Sequence, residues 1–281
     1  MIGQVVKAHS SHFTVYSCGK TEKCTARGLI KHNNANIVCG DLVEFGNGVI
    51  QKVLPRKNFF VRPSASNIDA VVIVISPEPK PDFYLVDKLC INAIKEDCEI
   101  FFVINKTDIS DDLFQFVKSE YQYCSDNFYK ISAKDNIGIS SVKDALKNKL
   151  CILAGQSAVG KTSLINAMFG VSAKTGDLSE KIMRGKHTTT HSELYMMDDI
   201  SIIDSPGFAA IDADVTLDVL PECYPEYFRL SPDCKFRGCS HINEPDCRVK
   251  DTVERGKLSK SRYDRYTEIY NELSQRRKIY E

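Results

Sequence analysis

The 281-residue sequence has no long apolar run, no leader pattern, no net charge and no internal repeat. Its longest apolar stretch, Ala70 to Ile75, falls far short of the ~20 residues that a membrane helix needs, which argues against a membrane association. The N-terminal residues Met1-Ile2-Gly3-Gln4-Val5-Val6-Lys7 lack a basic segment followed by an apolar stretch and a small-residue cleavage site. No secretory signal is therefore expected, and a cytoplasmic location is. Eleven cysteines without such a signal suggest reduced thiols, with a cluster better suited to metal than to disulfides. With 43% hydrophobic and 26% charged residues, the composition is that of a globular chain. Its length allows one substantial core plus one or two small appended domains.

The zero net charge is a cancellation. Residues 1–62 hold nine Lys/Arg against three acids, and residues 234–281 hold twelve against eight, so the middle is acidic. Basic ends around an acidic middle suggest terminal domains that touch a polyanion; solvated surface is the bland alternative.

Three units are expected. Residues 1–62 read as short β-strands, with Asn47-Gly48 between Val43-Glu44-Phe45 and Val49-Ile50 as a hairpin signal. They suit a small closed barrel of the oligonucleotide-binding (OB) type. Pro63-Ser64-Ala65-Ser66-Asn67 reads as a linker. From 68 to 213 strands and helices alternate: strands at Val71–Ile75, Ile100–Ile104, near 128–131, at Cys151–Ala154 and at Ile200–Ile203, with helices near 84–95, 111–120, 139–148 and 163–169. That pattern is a doubly wound α/β domain with ligands at the carboxyl ends of its strands. From 214 to 281 the strand pattern stops, prolines and cysteines cluster, and 249–280 has helical spacing. The fold class is thus multidomain α/β: an OB-like β-barrel, a nucleotide-binding domain and a C-terminal helical metal-binding domain.

Gly155-Gln156-Ser157-Ala158-Val159-Gly160-Lys161-Thr162 follows a strand and precedes a helix that begins near Ser163, which is the context of a phosphate-binding loop. Its glycines let backbone N–H groups curl around phosphates. Lys161 is placed to reach the β- and γ-phosphates, and Thr162 to bind Mg²⁺. Asn105-Lys106-Thr107-Asp108 follows another buried strand. The Asp108 carboxylate can accept from both guanine N1–H and the N2 amino group, a donor pair that adenine does not offer. Asn105 is expected to buttress the loop, and the stem of Lys106 to cover the base. Ser132-Ala133-Lys134 occupies the matching downstream loop. Asp204-Ser205-Pro206-Gly207 ends a further strand, with Asp204 expected on Mg²⁺ and the Gly207 N–H on the γ-phosphate. Between them lies Gly185-Lys186-His187-Thr188-Thr189-Thr190-His191, in the place of the first switch. Thr189 is the favoured further Mg²⁺ ligand and Thr188 its rival. Phe208 stands where Ras-type enzymes carry a water-orienting glutamine. His187 is the candidate to activate water, and contact with a partner or solvent is the alternative. The guanine motif precedes the phosphate loop, the reverse of the ordinary order, so the domain reads as a circularly permuted P-loop GTPase.

Cys234-x4-Cys239-x-His241-x5-Cys247 offers three thiolates and an imidazole, a closed Cys₃His set suited to one structural zinc. The other eight cysteines do not cluster and read as apolar filler.

On these motifs the chain resembles the RsgA (YjeQ/YloQ-like) family of small-ribosomal-subunit-dependent GTPases over nearly its whole length. The resemblance implies GTP/GDP, Mg²⁺ and Zn²⁺ as cofactors, the 30S subunit and its 16S rRNA as partners, and a cytoplasmic, monomeric factor. It implies action late in 30S maturation, with low intrinsic GTPase activity that the subunit stimulates. In that family the histidine matching His187 has been proposed to help activate water. Ala158 departs from the family's frequent glycine. It also stands where potassium-activated GTPases carry asparagine, so no potassium requirement is expected. The alternative reading is a GTP-gated RNA-binding module in which hydrolysis is incidental.

Overall fold

The computed structural model describes residues 1–9, 11–27, 36–110, 112–170, 193–197, 199–204 and 211–280. Five strands come first: β1 (Ile2–His9), β2 (His12–Ser17), β3 (Lys20–Ala26), β4 (Leu42–Gly46) and β5 (Val49–Val53). They close on themselves in the order β1-β2-β3-β5-β4-β1, an arrangement that leaves no free edge. The inward residues Val5, Phe13, Val15, Cys24, Val43, Phe45 and Ile50 form its core. Asn47 and Gly48 both have positive φ (52° and 72°), as a two-residue type I′ hairpin turn requires.

The expected linker is instead built into the fold. Phe59–Phe60 (β6) pairs with Ala65–Ser66 (β7) in a two-stranded ribbon, and Cys39 bridges to Ala65. Ala65 and Ser66 are fully buried. Ser66 Oγ donates to Asp41 Oδ1 at 2.6 Å, and Asp41 also receives Arg56 Nε at 2.7 Å. A run of small polar residues reads as a linker only while its buried acceptor, Asp41, is out of view.

The second unit is doubly wound. Strands β8 (Ala70–Ile75), β9 (Glu99–Ile104), β10 (Asn127–Lys130), β11 (Lys149–Ala154) and β13 (Ile200–Asp204) run parallel in the order β10-β9-β8-β11-β13. Helices α1 (Phe83–Lys95), α2 (Asp112–Tyr121), α3 (Ile139–Ala145) and α4 (Lys161–Phe169) connect or follow them. Side chains alternate between two cores. Val71, Ile73, Ile75, Phe102 and Ile104 face one side, and Val72, Val74, Phe101, Val103 and Leu153 the other. Strand β12 (Glu193–Met197), which no sequence pattern announces, runs antiparallel to β13. It also touches β1 at Lys7, so the sheet continues into the barrel.

The C-terminal unit has helices α5 (Pro225–Leu230), α6 (Arg248–Glu254) and α7 (Lys260–Tyr280). The stretch with helical spacing is thus two helices. Gly256 (φ 68°) donates to Val253 O at 2.9 Å and Lys257 to Thr252 O at 3.1 Å, a Schellman stop that the left-handed glycine permits. Tyr224, Tyr227, Val249, Tyr266 and Ile269 pack together with Ile91 of α1. Helix α1 therefore has cover on both sides, which is why Asp87 and Lys88 are buried along with Leu85 and Leu89.

Asp87 is met by two arginines of α7. Arg262, itself 2% exposed, pairs with Asp87 and with Glu226 (Nε to Oε1, 2.5 Å). Arg265 pairs with Asp87 and with Glu120 (2.9 Å). The guanidinium of Arg262 lies between the rings of Tyr121 and Tyr224, 4.6 and 4.7 Å from their centroids, where cation–π attraction adds to the ion pairs. Removing one partner from such a network strands buried charge. Arg262→Met is expected to cost about 3–5 kcal/mol by urea denaturation; an unchanged unfolding midpoint would show that its loss strands no buried charge.

Candidate nucleotide site and metal centre

The sequence-predicted nucleotide residues meet at the carboxyl edge of the parallel sheet. The chain leaves β8 for β9 on one side, while β11 enters on the other, so the crevice between β8 and β11 is the topological switch point where ligands of such sheets bind.

Asn105 holds the crevice together. It is 2% exposed. Its Nδ2 donates to Val159 O of the phosphate loop at 2.9 Å, and its Oδ1 accepts from Ala133 N at 3.0 Å. One carboxamide thus joins all three predicted loops. Its close approach also dictates Gly160. A Cβ there would lie 2.2 Å from Asn105 Nδ2, and φ is +97°, so only glycine fits. Gly155 (φ +133°) is dictated in the same way: a Cβ there would lie 2.3 Å from Val74 O.

Lys106 donates from Nζ to Ala158 O at 2.8 Å and to Glu78 O at 2.6 Å, so its stem spans the crevice. Thr107 is tied to Ile131 O through both its backbone N–H and its hydroxyl, at 3.2 and 3.0 Å. Asp108 is exposed at the rim, with Ser132 Oγ 2.9 Å from its Oδ1. Ser132 also lies 2.8 Å from Asp135 Oδ2 and exchanges backbone bonds with Ile137. Asp135 is a support that sequence reasoning passed over; a carboxylate three residues after a serine is the local turn signal that could have found it. Lys134 is exposed beside them.

On the phosphate side, α4 begins at Lys161, so Thr162 and Ser163 sit in its first turn, both exposed. Lys161 Nζ donates to Gly155 O (2.7 Å) and Gln156 O (2.6 Å). Burial pulls its ammonium below the usual lysine range, and the nearby charge of Asp204 opposes that shift. A half-buried cation held among backbone carbonyls is set to gain from a bound phosphate. Gln156 reaches away from the loop: its Oε1 accepts from Asp82 N at 2.9 Å and its Nε2 donates to Lys80 O at 3.2 Å. This braces the phosphate loop against the start of α1, a role that no sequence signal marks. Ala158 has φ +64°, which costs a non-glycine residue roughly 1–2 kcal/mol and explains why glycine suits the position. Asp204 ends β13. His187, Thr188, Thr189, Gly207 and Phe208 lie outside the described residues.

The second centre is in the C-terminal unit. One ligand atom from each of Cys234, Cys239, His241 and Cys247 lies within 4.8 Å of all the others. Nδ1 of His241 is 3.8 Å from Cys234 Sγ and 3.4 Å from Cys247 Sγ, and the two sulfurs are 4.0 Å apart. Bonds of about 2.3 Å to sulfur and 2.0 Å to nitrogen give tetrahedral edges of this size. Ser231 Oγ donates to Tyr227 O at 2.9 Å, so it can accept from His241 Nε2–H, 3.0 Å away. That bond sets the tautomer and turns the Nδ1 lone pair toward the sulfurs. Burial keeps His241 below the usual imidazole range and pushes Cys239 up to about 12. Crowded buried thiols resist ionising alone and gain from a dication. Burial opposes ionisation of Glu244, yet its bonds from Ser240 and Ile242 N–H hold it down at about 2 and tie the ligand loop. The donor set fits zinc. Of the remaining cysteines, Cys24, Cys39, Cys90, Cys98, Cys151 and Cys223 are buried filler as expected, whereas Cys18 is exposed and Cys124 half-buried.

Comparison with known proteins agrees with this geometry. The family model described as RsgA GTPase matches residues 53–214, and that described as RsgA N-terminal domain matches residues 2–50. The small ribosomal subunit biogenesis GTPase RsgA of Thermotoga petrophila is 38% identical over 98% of both chains. The protein of that name from Agathobacter rectalis is 37% identical over 99% of this chain and 100% of its own. Among solved structures, YjeQ from Thermotoga maritima superposes with a TM-score of 0.78 at 35% identity, covering 97% of this chain and 98% of that one. YloQ, a circularly permuted GTPase, superposes with a TM-score of 0.78 at 29% identity, covering 98% and 95%. With a family model over more than half of its length and relatives matched almost end to end, the chain belongs to the RsgA family of circularly permuted GTPases.

Proposed function

We propose that this chain hydrolyses GTP as a late maturation factor of the small ribosomal subunit, and that the subunit stimulates its turnover. The observation that carries the reading is the Asn105 carboxamide. It draws a guanine-reading motif, a phosphate loop and a third loop into one crevice at the sheet's carboxyl edge. In this reading Asp108 selects guanine, with Asn105, Lys106, Thr107 and Ser132-Ala133-Lys134 shaping the base pocket. Gly155 to Ser163 cradle the phosphates, and Lys161 supplies positive charge to them. Thr162, Thr189 and Asp204 hold Mg²⁺, which neutralises charge on the phosphate oxygens when bound. The Gly207 N–H senses the γ-phosphate, and His187 positions or deprotonates water.

Residues 1–62, 68–213 and 214–281 act as barrel, GTPase and zinc units, with Cys234, Cys239, His241 and Cys247 holding the zinc. The basic barrel and C-terminal unit support contact with 16S rRNA. The names of the full-length relatives support the ribosomal setting. A monomer in the cytoplasm fits this role, and among the described residues no helix is long and apolar enough to cross a membrane.

Purified protein is expected to turn over GTP at least about tenfold faster with small subunits than alone, within the range that partner proteins confer on GTPases. Equal rates would sink the reading. His187→Ala is expected to lower the stimulated rate by about a hundredfold with GTP affinity retained; an unchanged rate would remove His187 from the chemistry and favour a GTP-gated binding module. Asp108→Asn turns an acceptor into a donor. It is expected to weaken GTP binding by about 1–3 kcal/mol and to admit xanthosine triphosphate, as competition binding would reveal. Elemental analysis is expected to find one zinc per chain. Chelation is expected to unfold residues 234–247 by hydrogen exchange while nucleotide binding persists, and a fully folded metal-free protein would contradict this.

A further inference from the structure

Four consecutive residues shortly downstream of Asp204 are held between two cores and two helices. Ile211 is buried in the core between the sheet and α1, and Ala213 in the core of the C-terminal unit. Between and after them, Asp212 and Asp214 are held from two helices. Asn92 of α1, 5% exposed, donates from Nδ2 to Asp212 O at 2.9 Å and accepts at Oδ1 from Asp214 N at 2.9 Å. Its side-chain amide thus pairs with this backbone as a neighbouring strand would. Lys95 Nζ adds an ion pair to Asp214 Oδ2 at 2.8 Å. From the other side, Arg276 of α7 meets Asp212 Oδ1 at 2.7 Å. Arg276 is itself joined to Glu272, which returns to α1 through Lys88 (2.9 Å) and the hydroxyl of Tyr84 (2.5 Å). A cavity of about 320 Å³, lined by Phe59, Arg62, Glu96 and Asp212 among others, lies beside the segment and leaves it room to shift.

This arrangement is more than a packed loop. Among the described residues the backbone of Asp212 and Asp214 has no strand or helix partner, and Asn92 stands in for one. The segment follows the strand that ends at Asp204, and its side chains divide between two cores. Any displacement must therefore be absorbed by the cavity or passed to α7. We propose that Asn92 is a positioning residue for the GTPase cycle. By registering residues 212–214 against α1, it makes the chain after Asp204 move α7 and the zinc unit as nucleotide state changes, so that signals pass between the γ-phosphate and the subunit-facing C-terminal unit. The inference rests on the proposed small-subunit-stimulated GTPase activity.

The test uses full-length wild type, Asn92→Ala, which removes both bonds, and Asn92→Asp, which keeps the acceptor for Asp214 N–H and loses the donor to Asp212 O. Turnover is measured with and without small subunits, and hydrogen exchange over 225–273 is compared between GDP and a non-hydrolysable GTP analogue. Asn92→Ala is expected to retain unstimulated turnover and nucleotide affinity. It should lose at least about fivefold of the stimulation, the lower end of a usual coupling between sites, along with the nucleotide-dependent difference in exchange. Asn92→Asp is expected to fall between.

Full stimulation together with an intact exchange difference in Asn92→Ala would overturn the inference. So would a wild type whose exchange over 225–273 is the same in both nucleotide states. A wild type that shows the exchange difference but no stimulation would instead remove the functional reading and leave the mechanical one standing. Should Asn92→Ala not fold, Lys95→Met removes only ion pairs of a side chain one-third exposed (34%). It is expected to reduce stimulation and the exchange difference in the same direction, and wild-type behaviour there would overturn the inference equally.

Discussion

Everything the candidate site does depends on one buried carboxamide. Asn105 gives its donor to Val159 O and its acceptor to Ala133 N. No aspartate can do both, because a carboxylate has no N–H to give. Three loops from distant parts of the chain leave strands of one sheet, and among the described residues Asn105 is the one side chain that bonds to the backbone of both of the other two. Each leaves a different strand, and loops without packing partners wander at little cost. Spending one buried side chain's polarity on two backbone groups converts those strand ends into a rigid binding edge. The same contact sets the local sequence: Gly160 is dictated by the nearness of Asn105 Nδ2, and Lys106 reaches back over Ala158 because Asn105 has fixed where that loop lies.

The interface between the GTPase and C-terminal units rests on a different kind of contact. Arg262 and Arg265 face Asp87, Glu120 and Glu226 with almost no solvent present. Burying five charges gains little net stability, since desolvation offsets most of the attraction, but mismatched docking would leave charge unpaired. The network therefore discriminates between docked geometries more than it holds the units together. The tyrosine cluster of Tyr224, Tyr227, Tyr263 and Tyr266 supplies the apolar area. Two of its hydroxyls also bind the backbone of the metal loop, Tyr263 to His241 O at 2.7 Å and Tyr266 to Ser240 O at 2.5 Å. The metal loop is thus fastened to the helix that carries the arginines, and zinc site and interface form one mechanical body.

The features readable in the sequence divide along the same physical line. Contiguous signals were legible: the apolar strand Ala70–Ile75, the Asn47-Gly48 turn, the glycines of the phosphate loop and the compact Cys₃His spacing are each local consequences of backbone geometry or ligand chemistry. Contacts between distant residues were not. The stretch Pro63–Asn67 has loop composition, yet Ser66 is buried because Asp41, far away in sequence, needs a donor. Strand β12 escaped notice because it is half-buried at the seam with the barrel and lacks a clean alternation. Gln156 reads as one more phosphate-loop residue, and only the fold shows it turned toward Lys80 and Asp82. Ser231 carries no motif at all, and its value comes from standing 3.0 Å from His241 Nε2.

The permuted order has a mechanical consequence that the unpermuted order lacks. In this chain β13, ending at Asp204, is the last described strand in chain order, and the described chain beyond it, from Ile211, leads away from the sheet instead of returning to it. It passes between α1 and α7, where Asn92, Lys95 and Arg276 take hold of it. A segment with one core on each side and a clamp at its middle transmits position well, because packed cores resist gradual deformation and shift between discrete arrangements. The loop expected to read guanine, by contrast, leaves β9, one strand in from the sheet's edge, and is tied by Asn105 on both sides. Permutation thus separates the two loops expected at the ends of the nucleotide. The one at Asn105 is tied to its neighbours by a carboxamide, while the chain after the one at Asp204 is next described at 211–214, against the C-terminal unit that carries the metal-ligand cluster.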